Sequence, residues 1–332
     1  MRWSNNPPYL KHSGADIECA PKWLAAMMEV RVASGSDRYR DLEETMLKTV
    51  VGFVEEDGLY YACYKPSRPW HMGMYAKVGY ETPNEDFALP VGGAVLMTAL
   101  AAQNLVGNSG QWDDTLRALA RGLDSVSLKR DDYAYFPIYG WMDEEYFRSC
   151  YVKGRGWKDN AEPTNEKDGE EGSLFNHQGH TPGVLATWYS MTGNKQALRL
   201  AGELVRFLTK PKFWADWKNG EYPGVIGAEH AHWHGHFYGH INTLMAILEY
   251  AIATNDVQLK TFVRDGYEWA RRPWLVARIG MGGNGQGCAI PRMIGLAIKL
   301  SDAGVGDRVK QRQFGVPCVR RVRRRQVYLV ED

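Results

Sequence analysis

One unit recurs along this chain and limits what it can fold into. An apolar stretch opens on small residues and runs for about four helical turns. It reaches a Gly/Asn/Asp turn, and a second, amphipathic helix follows. The clearest copy starts at Pro182-Gly183-Val184, continues to Met191, turns at Thr192-Gly193-Asn194 and returns over Ala197 to Leu208. In the returning segment Ala197, Leu200, Ala201, Leu204, Val205 and Leu208 fall at helical spacing. A second copy runs from Ile241 to Tyr250, turns at Thr254-Asn255-Asp256 and returns through Leu259, Phe262, Val263 and Trp269. Earlier copies are Trp23 to Val32 with the turn Ser34–Asp37, and Val91 to Leu105 with the turn Gly107–Gly110. A fifth starts at Ala289-Ile290-Pro291 and reaches Gly304–Asp307. Gly and Asn at such turns supply the left-handed backbone that ends a helix, and Asp or Ser then caps the next.

The copies are unequally spaced, which excludes a regular solenoid. Constant hairpins with variable connections predict an all-α fold: a closed ring of α-hairpins, or α/α toroid, spanning residues 1–307. The long connections are Tyr64–Pro90, Asp124–Thr181, Thr209–His240 and Arg271–Cys288. In such a ring they emerge on one face, and long loops in a compact domain are usually functional. Residues 308–332 break the pattern with eight basic residues and only Glu331 and Asp332 acidic. We read them as an aberrant tail, the mark of a truncated C-terminus.

The long connections concentrate aromatic and imidazole side chains. Five of the nine histidines fall in Glu229-His230-Ala231-His232-Trp233-His234-Gly235-His236-Phe237-Tyr238-Gly239-His240. The alternation from His230 to His236 puts those imidazoles on one side of an extended segment. Three readings stay open for them: ligation of a transition metal, hydrogen bonding to sugar hydroxyls, or a hydrated loop. A second cluster, Phe175-Asn176-His177-Gln178-Gly179-His180-Thr181-Pro182-Gly183, places His177 and His180 at a helix entrance, with Thr181 as the expected cap. Trp70 lies in the first long connection, and the chain has twelve tryptophans, whose faces both stack on sugars and fill cores.

Glycoside cleavage uses a pair of groups, usually carboxylates, flanking the bond. Glu85 and Asp86, before the Gly92-Gly93 helix, and Glu229, beside the histidines, are the best-situated acids; His236 is the imidazole nearest to that role. The expected sugar-binding residues are His177, His180, His234, His240, Trp233, Tyr238, Trp70 and Gln286. The Gly-rich run Gly280–Gly287 has no preceding strand and no following Lys-Ser/Thr, which excludes a phosphate loop.

The hairpins, the His-Gly-His-Phe-Tyr-Gly-His approach to an inner helix, and Cys288-Ala289 opening the next resemble the β-L-arabinofuranosidase-type glycoside hydrolases, a six-hairpin glycosidase family. The resemblance covers residues 20–307 as architecture and implies a sugar-binding α/α toroid. In that family a Glu-Thr-Cys triplet supplies a general acid/base and a zinc-bound cysteine; the matching triplet here is Gln286-Gly287-Cys288, without an ionisable carboxyl. We therefore expect a glycoside hydrolase-like protein binding an oligo- or polysaccharide. Two alternatives remain: a sugar epimerase or uronate polysaccharide lyase using His or Tyr for proton transfer, and a catalytically silent glycan-binding fragment. No cofactor is expected, with zinc through the histidine run or Cys288 as the variant kept beside that reading.

A formal charge of +1 gives no field favouring nucleic acid or an anionic membrane. The five scattered cysteines form no disulfide framework. No signal-peptide pattern opens the chain, and Leu89–Ala102 is too short and Gly-rich to span a bilayer, so a cytoplasmic protein is expected.

Overall fold

The computed structural model describes residues 2–5, 8–11, 16–62, 87–107, 109–137, 149–163, 178–210, 213–214, 237–270 and 288–305. These residues are mostly helical. In chain order the helices are α1 (Asp16–Ser34), α2 (Arg40–Val51), α3 (Pro90–Gly107), α4 (Asp113–Val126), α5 (Thr181–Thr192), α6 (Lys195–Leu208), α7 (Phe237–Ala253), α8 (Val257–Ala270) and α9 (Ala289–Asp302). All five recurring units thus begin with a helix where the periodicity predicts one, and four of them continue into a second. The tail assigned to 308–332 lies outside the described residues.

The turns work largely as their residues imply. Gly193 and Asn255 take positive φ angles of 72° and 55° and end α5 and α7. Asn194 then caps α6 by accepting from the Ala197 N–H at 3.0 Å, and Asp256 caps α8 by accepting from Leu259 at 2.9 Å. The first two hairpins differ. Tyr39 and Trp112 occupy the cap positions of α2 and α4 and give no side-chain cap bond. At α4 the missing partner comes from the preceding helix instead. Asn104 of α3 accepts from the Trp112 N–H at 3.1 Å and donates to Asp113 at 2.8 Å.

Short strands join the hairpins. β1 (Arg2–Asn5) and β2 (Pro8–Lys11) form an antiparallel pair beside α1 and α2. β3 (Tyr61–Ala62), β4 (Phe87–Ala88) and β7 (Tyr151–Val152) form a three-stranded sheet in the order β3-β4-β7. β5 (Leu128–Arg130) and β6 (Tyr133–Tyr135) form a hairpin that lies on α6. None of these strands follows from the sequence pattern, because two to four residues carry no readable alternation.

The packing order is simple. α1 lies against α3, α3 against α5, α5 against α7 and α7 against α9, while α2, α4, α6 and α8 each back the first helix of their own hairpin. In the middle of the inner row α3, α5 and α7 are apolar nearly all round, and the outer helices are amphipathic, as two layers require. α3 is, among the described residues, the one helix long and apolar enough to cross a membrane; 67% of it is buried inside the protein, which accounts for its composition. Two helix contacts are close enough to need glycine. A Cβ on Gly183 of α5 would stand 2.9 Å from the Cα of Ala246 in α7. A Cβ on Gly122 of α4 would stand 2.4 Å from the backbone of Gly58.

Side-chain contacts fix the direction of the inner row. At one end His180, just before α5, lies beside Tyr238 at the start of α7, with ring centroids 6.2 Å apart. Arg292, in the first turn of α9, lies over the same tyrosine at 5.8 Å. At the other end Arg31 of α1 and Gln103 of α3 both reach Glu43. There too, the ends of α3 and α5 line a common cleft of about 400 Å³, and Lys299 of α9 pairs with Glu249 of α7. The inner helices are therefore parallel: their tight turns share one end, and their starts, fed by the long connections, share the other.

Candidate functional site

The shared end holds an unusual amount of buried polarity. Of the nine buried polar or charged residues described, five are Gln178, Thr181, His240, Asn242 and Thr243, at the starts of α5 and α7. Packing explains why they meet. Gly183 is the third residue of α5 and faces Ala246, the tenth of α7. The start of α7 therefore projects seven residues past the start of α5, roughly 10 Å at the helical rise. Asn242 and Thr243 come level with Gln178–Thr181, and Tyr238 and His240 rise beyond them.

Gln178 anchors the step. Its amide donates to the Phe136 carbonyl at 2.7 Å and accepts from the Phe136 N–H at 3.0 Å, as a neighbouring strand would. Both partners are fully buried, and the pair locks the chain entering α5 to the chain leaving β6. Thr181 does not act as the cap. His180 takes the cap position with helical φ and ψ of −78° and −36° and gives no side-chain cap bond, so Thr181 enters the helix as its first residue. Pro182 sits in the first turn, where its missing N–H costs nothing.

His240 faces the side of α7 toward α8, through Trp214, which packs on Phe262. This histidine is 1% exposed and meets the edge of the fully buried Trp214 at 5.6 Å. Trp214 is itself held by its indole N–H, which donates to the Leu208 carbonyl at 2.8 Å. Tyr238, on the opposite side of α7, is 8% exposed and lies beside half-buried His180 and half-buried Arg292. Behind α6 an aromatic platform stiffens the same end. Tyr133 stacks on Phe207 at 5.9 Å, Lys210 lies 3.3 Å above the Tyr133 ring, and the Tyr133 hydroxyl donates to Glu162 at 2.6 Å.

Two of the sequence-predicted site residues, His180 and Tyr238, are brought together, while His240 packs on the other side of α7 against Trp214. Glu85, Asp86, His177, Glu229, Trp233, His234, His236, Trp70 and Gln286 lie outside the described residues. Cys288 is exposed at the start of α9 and gives no cap bond. Among the described residues no three His, Cys, Asp or Glu side chains converge to hold a metal ion. Sequence reasoning passed over Gln178, Asn242, Thr243 and Arg292. For Asn242-Thr243 there was a signal, two polar residues inside the apolar run Ile241–Leu248.

The fold defines a mostly helical protein with a parallel inner row of helices and a polar, aromatic step at their starts. The chain matches no protein-family model, no curated protein and no solved structure.

Proposed function

We propose that this chain is a carbohydrate-active protein of glycoside hydrolase-like type, and that its two rows of helices form most of an α/α toroid. The glycan lies over the starts of the inner helices. The observation that carries this reading is that buried polar side chains gather at the same end of the inner helices as the His180–Tyr238 pair. Sugars need both partners: aromatic faces for C–H surfaces, and fixed donors and acceptors for hydroxyls. Tyr238 and His180 are the contact residues, and His240 packs with Trp214 on the other side of α7. His177, His234, Trp233, Trp70 and Gln286 complete the lining, and Glu229, Asp86, Glu85 and His236 supply the acid and base groups.

The proximity of His180 and Tyr238 also favours a proton-transfer enzyme, a lyase or epimerase, as the second reading. Thermal melting of the full chain against a panel of neutral and acidic oligosaccharides tests both, because a ligand bound only by the folded state raises the transition. A saccharide that raises it, and whose affinity falls at least about tenfold in Tyr238→Ala with the unliganded transition kept, supports the reading. New reducing ends in the incubated mixture identify a hydrolase, and an ultraviolet-absorbing product identifies a lyase. A panel in which no saccharide binds overturns the proposal.

A further inference from the structure

The turn end of the inner row, away from the proposed glycan site, has a groove of its own. α2 and α3 both pack on α1, and the space between them is a groove of about 360 Å³. One face of α2 lines it: Arg40, Glu43, Glu44, Leu47 and Lys48 recur there every three or four residues. Arg31 of α1, Gln103 and Val106 near the end of α3, and Trp112 just before α4 complete the wall. The volume falls within the range of small-molecule sites.

The floor is held from three helices. The Glu43 side chain, 5% exposed, accepts from Arg31 at 2.8 Å and from Gln103 at 2.7 Å. Nearer the surface Glu44 accepts from Arg40 at 3.1 Å. Glu44 precedes Lys48 by four residues, the spacing of a helical ion pair, yet its carboxylate is committed to Arg40 one turn earlier. Among the described residues Lys48 therefore has no carboxylate, and the Trp112 indole N–H has no acceptor. Three cations line the groove against two carboxylates, and both carboxylates are taken. What remains is one positive charge in excess beside an apolar wall of Leu47, Val106 and Trp112.

We infer that this groove binds a small organic monocarboxylate with an aromatic or alicyclic body. Lys48 is its counter-ion, and the wall of Leu47, Val106 and Trp112 receives the ring. A single excess charge matches a carboxylate, singly ionised at neutral pH, better than a phosphate monoester, which carries about −1.5 to −2. The pairs on Glu43 and Glu44 hold the groove open and keep their acids from competing for Lys48.

Calorimetric titration of the full chain with benzoate, phenylacetate, indole-3-acetate and cyclohexanecarboxylate, each beside its primary amide, tests it. The amide keeps the ring and removes the charge. At least one acid should bind about tenfold more tightly than its amide, the ratio that one charge-assisted hydrogen bond supplies. Lys48 is exposed, so Lys48→Met should leave the unliganded melting transition in place while that ratio falls to about one. In Lys48→Arg part of the ratio should remain. A panel in which no acid binds, amides that bind as tightly as their acids, or a preference that survives Lys48→Met overturns the inference. Phenyl phosphate that outbinds every acid, and loses that advantage in Lys48→Met, overturns the assignment to a monocarboxylate. The groove and the proposed glycan site lie at opposite ends of the inner helices, so neither reading falls with the other.

Discussion

Replacing Arg31 by methionine strands the carboxylate of Glu43 at the turn end of the inner row. The Glu43 side chain is 5% exposed and that of Arg31 20%. Glu43 accepts two bonds from the guanidinium, at 2.8 and 3.2 Å, and a third from Gln103 at 2.7 Å. Burial pushes its carboxyl up, but the hydrogen bonds from Arg31 and Gln103 and the charges of Arg31 and Arg40 outweigh burial and hold it below the usual carboxylate range. Removing one partner of a buried pair costs about 3–5 kcal/mol. With Gln103 still donating, we expect the lower end, about 3 kcal/mol at pH 7.

The pH dependence separates charge from packing. In the native protein the depressed Glu43 pKa contributes stability above its unfolded value of about 4.3, and that contribution is lost as pH falls through the lower folded value. In Arg31→Met burial acts with less opposition, so the folded pKa lies higher than in the native protein. The variant's deficit therefore shrinks as the solution is acidified. Urea unfolding of both proteins at pH 8, 6 and 4.5 should show the difference shrinking with falling pH, toward the part due to the lost packing of the arginine stem. A difference that stays constant from pH 8 to 4.5 refutes the electrostatic account.

Two further perturbations test the packing. Gly122→Ala puts a methyl group against the Gly58 backbone, which a rotamer change cannot move aside, and should cost about 3 kcal/mol or prevent folding; a melting transition within a degree of the parent's contradicts that contact. The Tyr61 hydroxyl is raised by burial and then by its 2.8 Å bond to Asp57. A raised pKa gives stability that is complete below the unfolded value of about 10 and lost as pH rises past it toward the folded one. Tyr61→Phe should accordingly flatten the decline in unfolding free energy above pH 10, and an unchanged slope excludes Tyr61 as its source.

What was legible in the sequence is what local chemistry decides. The helix period placed α1, α3, α5, α7 and α9, and Gly193, Asn194 and Asp256 act at their turns as their side chains dictate. Features that depend on a distant partner were not legible. Glu43 reads as one more acid on an amphipathic helix until Arg31 and Gln103 are brought to it. Thr181 reads as a cap, yet the backbone of His180 is already helical and passes the cap position one residue earlier. The site divides in the same way. A histidine and a tyrosine picked for their chemistry, His180 and Tyr238, meet at the helix starts. The buried Gln178 and Asn242 were hidden, because only the seven-residue offset between α5 and α7 makes their neighbourhood polar.

The paired bonds between Gln178 and Phe136 close an excursion of 42 residues. Within it, Tyr151–Val152 pair with β4 and Glu162 accepts from Tyr133, so residues 149–163 are tied back to the fold. Only outside them is a change of length cheap, a doubling of a flexible loop adding about 0.6 kcal/mol of closure entropy. The clasp turns one side of the rim into a socket for new specificities, on a scaffold that need not change.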